Sequence, residues 1–101
     1  VRVVLSEPAE FDLLEIAISI ARHNRARARA FVRERRAAAR QIGAMPNAFA
    51  LVPGHEQRGI RRRPYRDYLI FYRVGTDRVV IMRIVHGARD YAALLARDPG
   101  P

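Results

Sequence analysis

Apolar residues change their spacing twice along the chain, and each change marks a new kind of element. Val1 to Leu5 is a short apolar run of strand type. Ser6 follows as a helix N-cap, with Glu7 and Pro8 in the first turn. Beyond it Phe11, Leu14, Ile18 and Ala21 recur at helical spacing, backed by Leu13, Ile16, Ala17 and Ile20. These positions predict a first helix with the Phe11 stripe in the core, and Glu7, Glu10 and Asp12 at the positive end of its dipole. Asn24 interrupts the pattern. Arg25 to Ile42 is helical again, with Ala28, Phe31, Val32, Ala38, Ala39 and Ile42 as the buried stripe and Gly43 as the residue that ends it. So short a connection predicts an antiparallel helix hairpin.

After a Pro- and Gly-containing loop, Met45 to Gln57, the period falls to two. Arg58 to Arg63 is a strand ended by Pro64. Asp67 to Val74 and Val79 to His86 flank Gly75-Thr76-Asp77-Arg78, a hairpin signal. Ala88 to Arg97 has helical character, and 98–101 is a tail. The order is β-α-α-β-β-β-α in one domain spanning 1–101, an α+β arrangement.

With Thr76 and Asp77 as the loop, Val74 faces Val79, and the last two strands divide into two faces. One carries Leu69, Phe71, Val80, Met82 and Ile84, with Arg73 and His86 at its ends. The other carries Tyr68, Ile70, Tyr72, Val74, Val79, Ile81, Arg83 and Val85. The first, aliphatic set is expected under the helices. The second, with its Tyr and Arg, is expected to receive a partner. Phe11, Leu14, Phe31, Phe71 and Ile84 are then expected to serve folding alone.

Composition narrows the function. The 19 basic side chains are all Arg and the acids number 10, a net charge of +9 on 101 residues. Such a field favours polyanions: nucleic acid, an acidic protein or an anionic surface. Seven Arg lie between Arg25 and Arg40, where they can form either a solvated face or a binding face. The absence of Cys excludes thiol chemistry and a disulfide scaffold. Leu13 to Ala21 is too short and too interrupted to span a bilayer, so no membrane role is expected. His23, His55 and His86 lie far apart without acidic partners at ligand spacing, and no phosphate loop is present, so neither a metal nor a cofactor is expected.

Several stretches together carry a family likeness: LSEPAEFDLLEI, the loop around Pro46, GIRRR at Gly59 to Arg63, YLIFYRV at Tyr68 to Val74, and VVIMRIVHGARD at Val79 to Asp90. In this order the chain resembles ParE-like toxins of the RelE/ParE superfamily of bacterial type II toxin–antitoxin systems. The resemblance runs from about Leu5 to Leu95. It implies an α+β fold, β-α-α-β-β-β-α, with the helix hairpin packed on one face of a small, mainly antiparallel sheet, and a cytoplasmic toxin held in an oligomeric complex by a ParD-like antitoxin, with DNA gyrase as the target and no chemistry of its own. It implies as the alternative a RelE-like ribosome-dependent cleavage of mRNA.

RNA cleavage without a metal needs an acid/base and cations for the phosphorane. His86 with Arg61, Arg83 and Arg89 as phosphate clamps, and Tyr91 to stack on a base, is the set this chain offers. The other reading of His86 is a strand-end residue at the edge of the core. For the binding-type toxin the expected contact residues are Tyr68, Tyr72, Arg83, Arg89 and Tyr91, and no catalytic residue is favoured.

Overall fold

A computed structural model describes residues 1–87 and Leu95. Four strands and two long helices follow in the order β1 (Arg2–Leu5), α1 (Glu7–Ala21), α2 (Arg25–Ala44), β2 (Ile60–Tyr65), β3 (Tyr68–Val74) and β4 (Arg78–His86), with a single 3-10 turn at Glu56–Arg58. The expected final helix lies outside the described residues, apart from Leu95, which is helical and buried.

Each helix start is built from the residue type that the sequence puts there. The Ser6 hydroxyl accepts from the Ala9 N–H at 3.2 Å and donates to the Met82 carbonyl at 2.8 Å. The same residue therefore caps α1 and ties its start to β4. Asn24 caps α2 by accepting from the Arg27 N–H at 3.0 Å. Only residues 22–24 separate the helices, which forces them to pack side by side. α2 runs past Gly43 to Ala44, so Gly43 lies inside the helix instead of ending it. Its missing side chain is what lets β1 approach, because a Cβ there would stand 2.7 Å from the Val1 carbonyl oxygen and 2.9 Å from Val3 Cγ2.

The sheet order is β1-β4-β3-β2, with β1 parallel to β4 and the other pairs antiparallel. Pro64 lies within β2 and pairs with Leu69. It is tolerated there because β2 is an edge strand whose outer groups need no ladder partner at that position. Farther back, the outer edge of β2 is covered by the loop before it: Arg62 N–H donates to the Ala50 carbonyl and Val52 N–H to the Ile60 carbonyl.

The tip of the β3–β4 hairpin is as expected, with Val74 opposite Val79. The assignment of its faces is reversed. Ile70, Tyr72, Val79, Ile81 and Ile84 pack with Ala9, Ala38, Ala39 and Ile42 of the helices. Phe71, Met82 and Val85 instead form a second core with Val52, Ile60 and Leu95. Both faces of this hairpin are apolar, so alternation alone cannot say which one the helices cover. A bulge between the Tyr72–Ile81 and Phe71–Arg83 pairs then moves Ile84 to the helix side and Val85 away from it.

Candidate partner-binding surface on the helix hairpin

The helix stripe Phe11, Leu14 and Ile18 is on the surface, 61 %, 56 % and 46 % exposed, and not in the core. α1 is apolar nearly all round, so its sequence contains two stripes at helical spacing. The sheet takes the one with Ala9, Leu13 and Ile16. Ala9 is small enough for close approach, and this orientation brings Asp12 onto β4. The Asp12 carboxylate receives Arg83 Nε at 2.7 Å and Arg83 Nη2 at 2.8 Å, and also the Ile84 N–H at 2.9 Å. β1 ends opposite Ile81, so Asp12 supplies the acceptor that a longer β1 would have offered to β4. The carboxylate holds the Arg83 guanidinium above its ordinary pKa.

Between the helices runs an open groove of ≈ 490 Å³. Its floor is Ala17, Ile18, Ala21, Ala28 and Val32, and Arg29, Arg33 and Arg36 stand along its α2 side. The Phe11–Leu14–Ile18 ridge continues into it through Ile18. An apolar floor beside a row of guanidiniums suits an amphipathic segment bearing carboxylates. A second groove lies between β1 and α2, lined by Val3, Leu5 and Ala39 with Arg35, Arg36 and Arg40. There Arg35 Nε is buried without an acceptor, and burial pushes this guanidinium down from its ordinary pKa, with Arg36 adding to the effect.

Two of the residues expected to meet a partner, Tyr68 and Tyr72, lie on the helix side of the sheet. Tyr72 is fully buried, and its hydroxyl donates to the Pro46 carbonyl at 2.7 Å. Burial raises its pKa. Tyr68 packs on Phe31 of α2 at 5.3 Å, on the helix side of the sheet. Both tyrosines thus belong to the face that the helices cover, the reverse of the expected arrangement. Arg89 and Tyr91 lie outside the described residues.

The cations of β2 are occupied by the protein itself. Arg61 donates to the Phe49 carbonyl at 2.7 Å. Arg63 bonds Gln41 and the Pro64 carbonyl and lies 5.2 Å over the Phe49 ring. Arg58 donates to the Leu95 carbonyl at 2.7 Å and bonds the His55 ring. Near the β2–β3 turn, Glu34 of α2 accepts from the Tyr65 hydroxyl at 2.9 Å and from Arg66 at 2.8 Å.

His86 sits at the far end of β4, with its ring edge-on to Tyr68 at 5.5 Å. Arg61 is in the row of Tyr72 and Ile81, whereas His86 is in the row of Tyr68. Those rows are four residues apart along β3, roughly 13 Å at strand spacing. Arg83, between them, is bound to Asp12. His86, Arg61 and Arg83 thus start from three different rows of the sheet. Among the described residues no helix is long and apolar enough to cross a membrane.

The feature missed by periodicity is the exposed ridge beside the Arg-lined groove. The available signal was the apolar character of α1 on more than one face.

Comparison with known proteins agrees with this architecture. The family described as the ParE toxin of the type II toxin–antitoxin system, parDE, matches residues 3–91. No curated protein is similar in sequence at a significant level. A solved structure described as the chromosomal ParDE TA system from P. aeruginosa superposes with a TM-score of 0.70 at 19% identity, over 84% of this chain and 94% of that one. That likeness shows a shared fold. With the family match extending over most of its length, the chain belongs to the ParE toxin family of type II toxin–antitoxin systems.

Proposed function

We propose that this chain is a binding-type toxin that inhibits DNA gyrase and is neutralised by a ParD-like antitoxin. The observation that carries the antitoxin half is the groove between α1 and α2, with its apolar floor and Arg29, Arg33 and Arg36 beside it. An acidic amphipathic segment of the antitoxin lays its apolar side on Ala17, Ala21, Ala28 and Val32 and meets the guanidiniums with carboxylates. The solved relative from P. aeruginosa is a ParDE system, which supports a partner of this type.

The gyrase half is supported by family membership and by the engagement of Arg61 with the Phe49 carbonyl and of Arg83 with Asp12 within the fold. A poison of this kind needs no reaction of its own. It needs higher affinity for the gyrase state that holds cleaved DNA, and the population then shifts toward that state.

The test is purified chain, freed of antitoxin, incubated with gyrase, ATP and supercoiled plasmid and scored for double-strand breaks after detergent and protease. Linear DNA that disappears on adding antitoxin is the expected result. A sample that arrests growth yet leaves the plasmid uncut overturns the gyrase reading. Ribosome-dependent mRNA cleavage, compared between wild type and His86→Gln, then becomes the decisive assay.

A further inference from the structure

β1 stands at one end of the sheet and is paired on one side only. The two ends of the sheet are not alike. The outer edge of β2 is covered by the loop before it and interrupted by Pro64. β1 has neither protection. It reads Arg2-Val3-Val4-Leu5, and no described strand or loop bonds to its outer edge. An apolar edge left open in this way is a template for a further strand.

The register shows which backbone groups face outward. Ser6 N–H donates to the Ile81 carbonyl at 2.9 Å, beside the Leu5–Ile81 pair. Along a strand the N–H and C=O groups of alternate residues point to opposite edges. Arg2, Val4 and Ser6 therefore turn theirs to β4, whereas Val3 and Leu5 turn theirs away from the sheet.

The space beside this edge is the groove between β1 and α2, of ≈ 560 Å³. Val1, Val3 and Leu5 line one side of it, and Ala39 with Arg35, Arg36 and Arg40 the other, with no acid among them. Arg35 Nε is buried there without an acceptor among the described residues. Its burial already disfavours the charge. A carboxylate laid in the groove would give this donor its acceptor and offset that cost. A second copy of the chain supplies no such group. Two β1 edges paired about a two-fold axis would set Arg35, Arg36 and Arg40 of both copies against one another.

We infer that an extended acidic segment of a foreign protein adds to the outer edge of β1 as a further strand, its backbone on Val3 and Leu5 and a carboxylate on Arg35. Main-chain bonds give such a contact its affinity, and the guanidiniums select an acidic sequence. The site lies on the other flank of α2 from the groove assigned to the antitoxin, and Arg36 alone lines both.

The probe is a blocked, labelled octapeptide of alternating Val and Glu, titrated with the full chain and followed by fluorescence anisotropy. Saturable binding is expected, and the matching Val-Lys peptide stays free. In the saturated chain, amide exchange at Val3 and Leu5 slows at least tenfold, and at Val4, whose N–H already faces β4, it changes less. Arg35→Glu raises the Kd at least tenfold. Val3→Pro removes an outward N–H without touching a bond to β4, and it abolishes binding. Circular dichroism reports whether each variant is folded; if Val3→Pro is not, the exchange pattern of the wild-type chain decides. Absence of binding overturns the inference, as does binding that leaves Val3 and Leu5 exchange unchanged or is indifferent to Arg35→Glu. Binding weakened by Arg33→Glu and not by Arg35→Glu places the peptide between the helices and overturns it as well.

Discussion

Asp12 shows how much one side chain can carry in a chain of this size. Its carboxylate is 11% exposed and serves both Arg83 and the Ile84 N–H. Asp12→Ala leaves a guanidinium and a backbone donor without their acceptor, which is expected to cost about 3 kcal/mol in denaturant unfolding. Asp12→Asn keeps one acceptor oxygen and is expected to cost less. Gly43 is a steric counterpart. In Gly43→Ala the new methyl group meets the Val1 carbonyl at 2.7 Å, and backbone has to move, so a loss of about 1–3 kcal/mol is expected in the same measurement. Glu34 supplies a pH signature. The Tyr65 hydroxyl, helped by Arg66, holds its carboxyl below the ordinary value of 4.5. The associated stability is present above that value and is lost as pH falls through the lower folded one. Wild type should therefore lose stability more steeply below pH 4.5 than Glu34→Gln, as read by unfolding midpoints at a series of pH values.

At the scale of elements, α1 packs one apolar face on the sheet and leaves another in water. Phe31, buried and packed on Tyr68 and Tyr65, and Phe71, fully buried in the second core, lie inside the fold. Either one changed to Ala is expected to cost about 3–5 kcal/mol. Phe11→Ala and Leu14→Ala remove side chains that are mostly in water, so stability should stay within about 0.5 kcal/mol of wild type. Thermal unfolding distinguishes the two groups directly. The bulge in β4 works at the same scale. It lets one strand put Ile81 and Ile84 under the helices and Met82 and Val85 into the second core, the members of each pair three residues apart.

For the whole molecule, two groups of Arg stand apart among the described residues. Arg58, Arg61 and Arg63 bond carbonyls or side chains of the loop, β2 and the C-terminal segment, and Arg83 is bound by α1. Arg29, Arg33 and Arg36 stand beside the open groove. Reversing Arg33 and Arg36 to Glu is expected to weaken antitoxin binding at least tenfold, with the fold unchanged, in a calorimetric titration. The wild-type affinity should also fall as salt is raised, and less so in the double variant.

The chain by itself determined its elements, because caps, turns and periodicity are local. Ser6 and Asn24 start the helices, Thr76-Asp77 closes the hairpin, and the change of period separates helices from strands. The likeness to ParE-like toxins was readable for the same reason, as an ordered set of short motifs. Only the tertiary structure decided which face of each element is covered. α1 and the β3–β4 hairpin are both apolar on two sides, so their own patterns fit either orientation. The choice came from contacts between residues distant in the chain: Ala9 against the sheet, Asp12 on the edge of β4, and Val52 and Leu95 beneath Phe71. The same choice left Phe11, Leu14 and Ile18 in water beside the Arg-lined groove. An exposed apolar surface of this kind is made by what the fold leaves uncovered, and no local pattern records that.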